Sequence, residues 1–187
     1  MNEILNLYKN KKTVFDFDDL KAIFAISNTQ VLKNKIQYLK AKNILSSPTR
    51  WIYTLQDKEI DKFELVNKIY SPSYISFFSA LYYHSIIFQY QNDVYLAYKK
   101  TDEKKILDFS IKLKSLKKEI LLNPDWIINN WFYSIATKER AFLDTIYLFW
   151  DIYFDNIREL DYDEVIRLLS IYKNKSLEKK AKSYFLK

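Results

Sequence analysis

Ser27-Asn28-Thr29-Gln30-Val31-Leu32-Lys33-Asn34-Lys35-Ile36-Gln37-Tyr38-Leu39-Lys40-Ala41-Lys42 is the stretch from which the fold is read. Ser27 and Gln30 have the spacing of a capping box, in which the hydroxyl and the amide reciprocally satisfy free backbone groups at a helix start. On a helical wheel Leu32, Ile36 and Leu39 form one stripe, extended by Val31 and Tyr38. Gln30, Lys33, Asn34, Gln37 and Ala41 point the opposite way, and this outer face carries amides and lysine without a carboxylate.

Outward from this helix the pattern is short and regular. Ile4, Leu5 and Tyr8 recur at helical spacing from Glu3 to about Lys9, and Thr13-Val14-Phe15 reads as a small strand. Asp16 is expected to cap a second helix that buries Leu20, Ile23 and Phe24 and ends near Ala25, with Asp19 near its positive end. After the third helix, Asn43 stands where a left-handed residue commonly ends a helix. Ile44-Leu45-Ser46 and Arg50-Trp51-Ile52-Tyr53-Thr54-Leu55 flank the expected turn Ser47-Pro48-Thr49, which makes a β-hairpin. Two short helices, a third helix and a hairpin make a winged helix-turn-helix over residues 1–57 the economical reading.

Charge placement adds a function to that shape. Asn28 to Arg50 holds Lys33, Lys35, Lys40, Lys42 and Arg50 and no Asp or Glu. Lysines and an arginine neutralise phosphates and fix register, while Gln30, Asn34 and Gln37 suit adenine edges in the major groove. The candidate residues for double-stranded DNA are therefore Thr29, Gln30, Lys33, Asn34, Gln37 and Lys40 on the helix, with Thr49 and Arg50 in the wing. The alternative is a winged-helix module whose outer face binds a toxin or other protein directly.

Composition excludes several classes. The chain has 187 residues, no cysteine, no glycine and one histidine, His84. Disulfides, zinc sites, Cys/His nucleophile pairs and glycine-rich phosphate loops are therefore ruled out, and no cofactor, metal or catalytic residue is expected. Positions needing a left-handed backbone are expected to fall on Asn, Asp or Ser. A net charge of +7 favours an anionic partner. No signal peptide is read at the N-terminus, and the uncharged run Ile69 to Asn92 contains too many polar groups to favour a membrane span, so a cytoplasmic protein is expected.

Residues 58–187 read as an α+β domain with an antiparallel sheet and several helices. A connecting helix spans Lys58 to Ile69, and an apolar helix Tyr74 to His84 is expected to be capped by Ser73. Strands are expected at Ile86–Tyr90, Val94–Tyr98, the alternating Leu107–Lys114, and Trp131–Ile135. Further helices are expected from Thr137 to Trp150, after Asp161-Tyr162-Asp163-Glu164, and from Ser176 to about Phe185. Lys138 and Asp144 read as ordinary helix-surface residues rather than an acid/base pair.

Asp61, Phe63-Glu64-Leu65-Val66-Asn67, Tyr70-Ser71-Pro72-Ser73-Tyr74-Ile75-Ser76 and Ser79-Ala80-Leu81-Tyr82-Tyr83-His84 resemble the linker-and-helix signature of the AbiEi antitoxins. Ile135-Ala136-Thr137-Lys138-Glu139-Arg140-Ala141-Phe142-Leu143-Asp144 is similar to that family's second motif. The resemblance implies the antitoxin of a type IV, abortive-infection toxin-antitoxin system whose toxin is a nucleotidyltransferase. It further implies an autorepressor on an operator with inverted repeats, bound as a monomer or a DNA-assembled dimer, with antitoxicity exerted commonly without a stable complex. The family carries glycine near the end of the third helix, within the wing and after the motif histidine, where this chain has Asn43, Trp51 and Ser85.

Overall fold

The computed structural model describes residues 2–186. The chain forms two compact units that meet in sequence at Ile69/Tyr70, rather than after residue 57 as expected. Met1 and Lys187, the outer ends of the expected domains, lie outside the described residues.

The first unit runs α1 (Asn2–Lys9), β1 (Val14–Phe15), α2 (Phe17–Phe24), α3 (Thr29–Ala41), β2 (Leu45–Thr49), β3 (Ile52–Leu55) and α4 (Lys62–Ile69). The strands form an antiparallel sheet in the order β1-β3-β2. Asp16 starts α2 through a capping box with Asp19: Asp19 N–H donates to Asp16 Oδ1 at 2.8 Å and Asp16 N–H to Asp19 Oδ2 at 3.0 Å. Leu7, Phe15, Leu20, Phe24, Leu32, Ile36, Leu39, Leu45, Tyr53 and Leu55 close into one core. A fully buried leucine such as Leu32 contributes roughly 1.5–3 kcal/mol by leaving water.

The helix α4 belongs to this unit because polar contacts tie it to β1 and α2. Glu64 is buried and its Oε2 accepts from Thr13 N–H at 2.8 Å and Thr13 Oγ1 at 2.7 Å. Lys68 Nζ lies 2.7 Å from both Asp16 Oδ2 and Asp19 Oδ2, and Lys12 Nζ lies 2.6 Å from Asp19 Oδ1. Glu64 and Lys68 lie far along the chain from Thr13, Asp16 and Asp19, so local patterning does not show that α4 is tied to the elements before it.

The second unit contains β4 (Tyr74–Ile75), α5 (Phe77–Tyr83), β5 (Val94–Tyr98), β6 (Asp102–Ile106), β7 (Phe109–Ser115), α6 (Lys118–Leu121), β8 (Ile127–Asn129), β9 (Ser134–Ala136), α7 (Lys138–Leu148), a 3-10 turn (Ile157–Glu159), α8 (Tyr162–Tyr172) and α9 (Lys175–Phe185). Its sheet has the order β6-β7-β5-β4-β9-β8. The unit is α+β as expected: three antiparallel pairs form the sheet, joined by parallel pairings of β5 with β7 and β4 with β9. Phe109, Ile111 and Leu113 alternate inward along β7 as expected. Leu107 and Asp108 instead form the turn from β6, whose charged sequence suits an edge strand.

The uncharged run Ile69 to Asn92 is not one helix: it holds β4, α5 and an irregular segment, and residues 86–90 form no strand. No helix among the described residues is long and apolar enough to cross a membrane. Ser76, not Ser73, stands at the start of α5, and its hydroxyl is used elsewhere. Left-handed residues are not confined to Asn, Asp and Ser: Ala25, Trp51, Phe77, Leu107, Trp126, Trp131 and Lys173 also take positive φ. Without glycine, tertiary packing and turn closure impose this conformation on side chains that resist it.

Candidate nucleic-acid interface

The first turn of α3 is held by Asn28, whose Oδ1 accepts from Gln30 N–H at 2.9 Å and Val31 N–H at 3.1 Å. The expected Ser27–Gln30 capping box is not formed, because the cap sits one residue later. Gln30 Nε2 donates instead to Asn34 Oδ1 at 3.0 Å along the exposed face. Leu32, Ile36 and Leu39 are buried as expected. Val31 and Tyr38 are 51% and 58% exposed, so the buried stripe is narrower than the wheel implied.

The hairpin turn is Arg50-Trp51, between paired Thr49 and Ile52, and not Ser47-Pro48-Thr49. Pro48 lies within β2, an edge strand where its missing N–H is tolerated. Ser47 Oγ donates to Thr49 O at 2.9 Å and Ile52 O at 3.0 Å, closing the turn beneath the register shift between Ser46 and Thr49. Trp51 has φ 66° and packs edge-on against Phe17, with centroids 6.0 Å apart.

These elements border an open cleft of about 450 Å³ between α3 and the hairpin, with Lys33, Gln37, Lys40, Arg50, Trp51 and Tyr53 among its lining. Lys33 Nζ lies 5.8 Å from the Trp51 ring centre and Arg50 Cζ 5.3 Å from it. Each such contact is worth only about 0.5–1 kcal/mol at an exposed site, enough to bias a side chain's direction but not to lock it. Of the candidate residues, Lys33, Gln37, Lys40 and Arg50 therefore converge on one cleft. Thr29, Gln30 and Asn34 are exposed on α3 outside its lining, and Thr49 is half-buried at the end of β2. Trp51 and Tyr53 were missed. Aromatic residues beside a basic turn were the available signal, and both were read only as strand residues.

The second unit holds a different cluster, fully enclosed. Asp144 Oδ2 accepts from Tyr74 Oη at 2.9 Å and Ser76 Oγ at 2.7 Å, and Asp144 Oδ1 from Tyr172 Oη at 2.6 Å. Arg140 donates from Nη2 to Tyr74 Oη at 3.0 Å and to Ile120 O at 2.6 Å. Burial opposes the Arg140 charge, but Asp144 beside it raises the guanidinium above its ordinary value. Burial pushes the Asp144 carboxyl up, against the pull of Arg140 and the three hydroxyls. Solvent reaches neither side chain, so the cluster organises the fold and offers nothing to a ligand. Lys138 turns away, donating to the Glu159 carbonyl, so Lys138 and Asp144 form no pair. The His84 ring donates from Nε2 to Ala136 O at 2.8 Å, a helix-end hydrogen bond. Among the described residues no group of His, Asp and Glu is arranged to hold a metal ion.

Comparison with known proteins finds no family model that matches the chain, and no curated protein matches it.

Proposed function

We propose that the first unit is a winged helix-turn-helix that binds double-stranded DNA, and that the chain is a cytoplasmic transcriptional autorepressor acting as the antitoxin of a type IV toxin-antitoxin system. The observation that carries DNA binding is the acid-free outer face of α3, whose lysines and amides run into a hairpin turn bearing Arg50. A helix of this length spans about 20 Å, enough to lie along the major groove. Lys33, Lys40 and Arg50 supply phosphate contacts, and Gln30, Asn34 and Gln37 supply base contacts.

The antitoxin role is supported by the resemblance of the two motifs and by what those motifs do here. Tyr74 and Ser76 of the first and Arg140 and Asp144 of the second meet in one buried cluster. Asn43, Trp51 and Ser85, standing where AbiEi proteins carry glycine, have φ of 54°, 66° and 60°. Those are the backbone conformations for which glycine is the default residue. The functional partner is then a nucleotidyltransferase toxin, and the operator carries inverted repeats bound by a monomer or a DNA-assembled dimer.

A second reading, a winged helix that binds the toxin or another protein directly, is favoured by the exposed Val31 and Tyr38 on α3. A salt-titrated shift assay with duplex from upstream of the chain's own gene separates the two. With Lys33→Ala and Gln37→Ala, the first should lower the salt slope by about 0.9 and the second should cost roughly 1–3 kcal/mol at its base pair. Unchanged affinity in both variants would sink DNA binding through this face.

A further inference from the structure

Building on duplex binding by the first unit, we propose that the cleft between α3 and the β2–β3 turn seats a single backbone phosphodiester, and that Trp51 is the positioning residue that holds Lys33 and Arg50 toward it. The two cations come from different elements, one from the helix and one from the turn, yet both lie within 6 Å of the same indole. Among the described residues no carboxylate lines the cleft, and Lys40 adds a third positive group. Cations drawn together without a counter-ion repel one another, and an anion between them removes that cost. Phosphodiester is the anion that DNA supplies, and lysine and arginine are its usual partners.

Trp51 is an expensive residue for its place. It is 42% exposed and has φ 66°, a conformation that is a steric outlier for bulky side chains. Other bulky residues of this glycine-free chain take positive φ as well, and what sets Trp51 apart is that two cations from different elements lie over its ring. Phe17 meets the ring edge-on from α2, which favours one orientation of the indole. Tyr53 completes the cleft from β3; it is 7% exposed, and its hydroxyl, protonated at neutral pH like any phenol, adds a neutral donor for a phosphate oxygen.

The test is a salt titration of the full chain on sonicated mixed-sequence duplex, where binding is almost wholly phosphate contact. Lys33→Gln with Arg50→Gln should lower the slope of log affinity against log salt by about 1.8, and weaken binding roughly tenfold or more near 0.1 M salt. Trp51→Ala should lose part of the same slope, because the contacts removed bias the two cations rather than lock them, Trp51→Phe should retain it, and Trp51→Ala should lose nothing further in the Lys33→Gln/Arg50→Gln background. Should the alanine variant melt early, Trp51→Leu, which keeps bulk without a π-face, carries the same expectation. A wild-type slope in the folded Trp51 variant, or an equal further loss in the doubly substituted background, would overturn the proposal. A wild-type chain that binds no duplex would instead overturn the DNA-binding reading itself.

Discussion

Arg140 Nε lies 3.4 Å from Asp144 Oδ1, one turn along α7, and solvent reaches neither side chain. Such a pair gains little over apolar residues of the same volume, because both ions lose their hydration, but removing one member strands the other. Asp144→Ala should therefore destabilise the second unit by about 3–5 kcal/mol. Joint replacement by Arg140→Met and Asp144→Leu should cost clearly less than the sum of the two single changes, although Tyr74, Ser76 and Tyr172 lose their acceptor in it. Urea unfolding followed by intrinsic fluorescence and circular dichroism would check both, and strictly additive losses in the single and double variants would refute the pairing.

Acid and alkali should both act on the link between α2 and α4. Partial burial opposes ionisation of Asp19, but hydrogen bonds from Lys12, Lys68 and Asp16 N–H outweigh it and hold the carboxyl below its ordinary value. Its contribution is thus present above the unfolded value of about 3.9 and is lost as pH falls through the folded one. Lys68 is opposite in sign. Desolvation lowers it, but Asp16 and Asp19 raise it further, so its contribution is present below about 10.4 and lost as pH rises through the folded value. Asp19→Asn should flatten the acid limb of the thermal stability profile; an unaltered limb would show that Asp19 does not carry it.

Asn34→Asp would place the first carboxylate on the face of α3 without touching its buried stripe. Asn34 is exposed and accepts a hydrogen bond from Gln30, which an aspartate oxygen preserves. Duplex affinity should fall at least roughly tenfold at low salt, as like charges meet the phosphates, while the melting temperature changes little. Equal affinity for wild type and variant would argue that this face does not meet DNA.

Leu107 is the first residue of the two-residue turn between β6 and β7, with φ 54° and 53% of its surface exposed. A positive φ at that position alone matches a type II′ turn, which prefers glycine there. Leu107→Gly should stabilise the second unit by about 1 kcal/mol, since the steric cost removed outweighs the entropy that glycine adds to the unfolded chain. A lower melting temperature would show that the leucine is held by contacts worth more than its strain.

The helices of the first unit were legible because each carries a strong local signal: Asp16 with Asp19, and Leu32, Ile36 and Leu39 one turn apart. The hairpin turn was displaced because Pro48 is the obvious turn residue, whereas the chain turns on Arg50-Trp51, which carries no turn chemistry. The strand β6 escaped notice because a charged edge strand has no apolar face to alternate. Asp144 read as surface because charged residues usually are. Every residue of α7 from Glu139 to Ile146 is buried, so its polar side chains are paired internally, and a stretch carrying Glu139, Arg140 and Asp144 gives no sign of that in its sequence. Candidate residues on α3 came from charge and periodicity, while Trp51 was hidden because its role depends on bringing a helix and a turn together.

The most direct test of the central claim is amide hydrogen exchange of the full chain, free and with duplex from upstream of its gene. The account predicts slowed exchange across residues 28–42 and 45–55, lost again when salt is raised enough to release the duplex. Protection confined to residues 70–186, or no protection at binding concentrations of duplex, would contradict it.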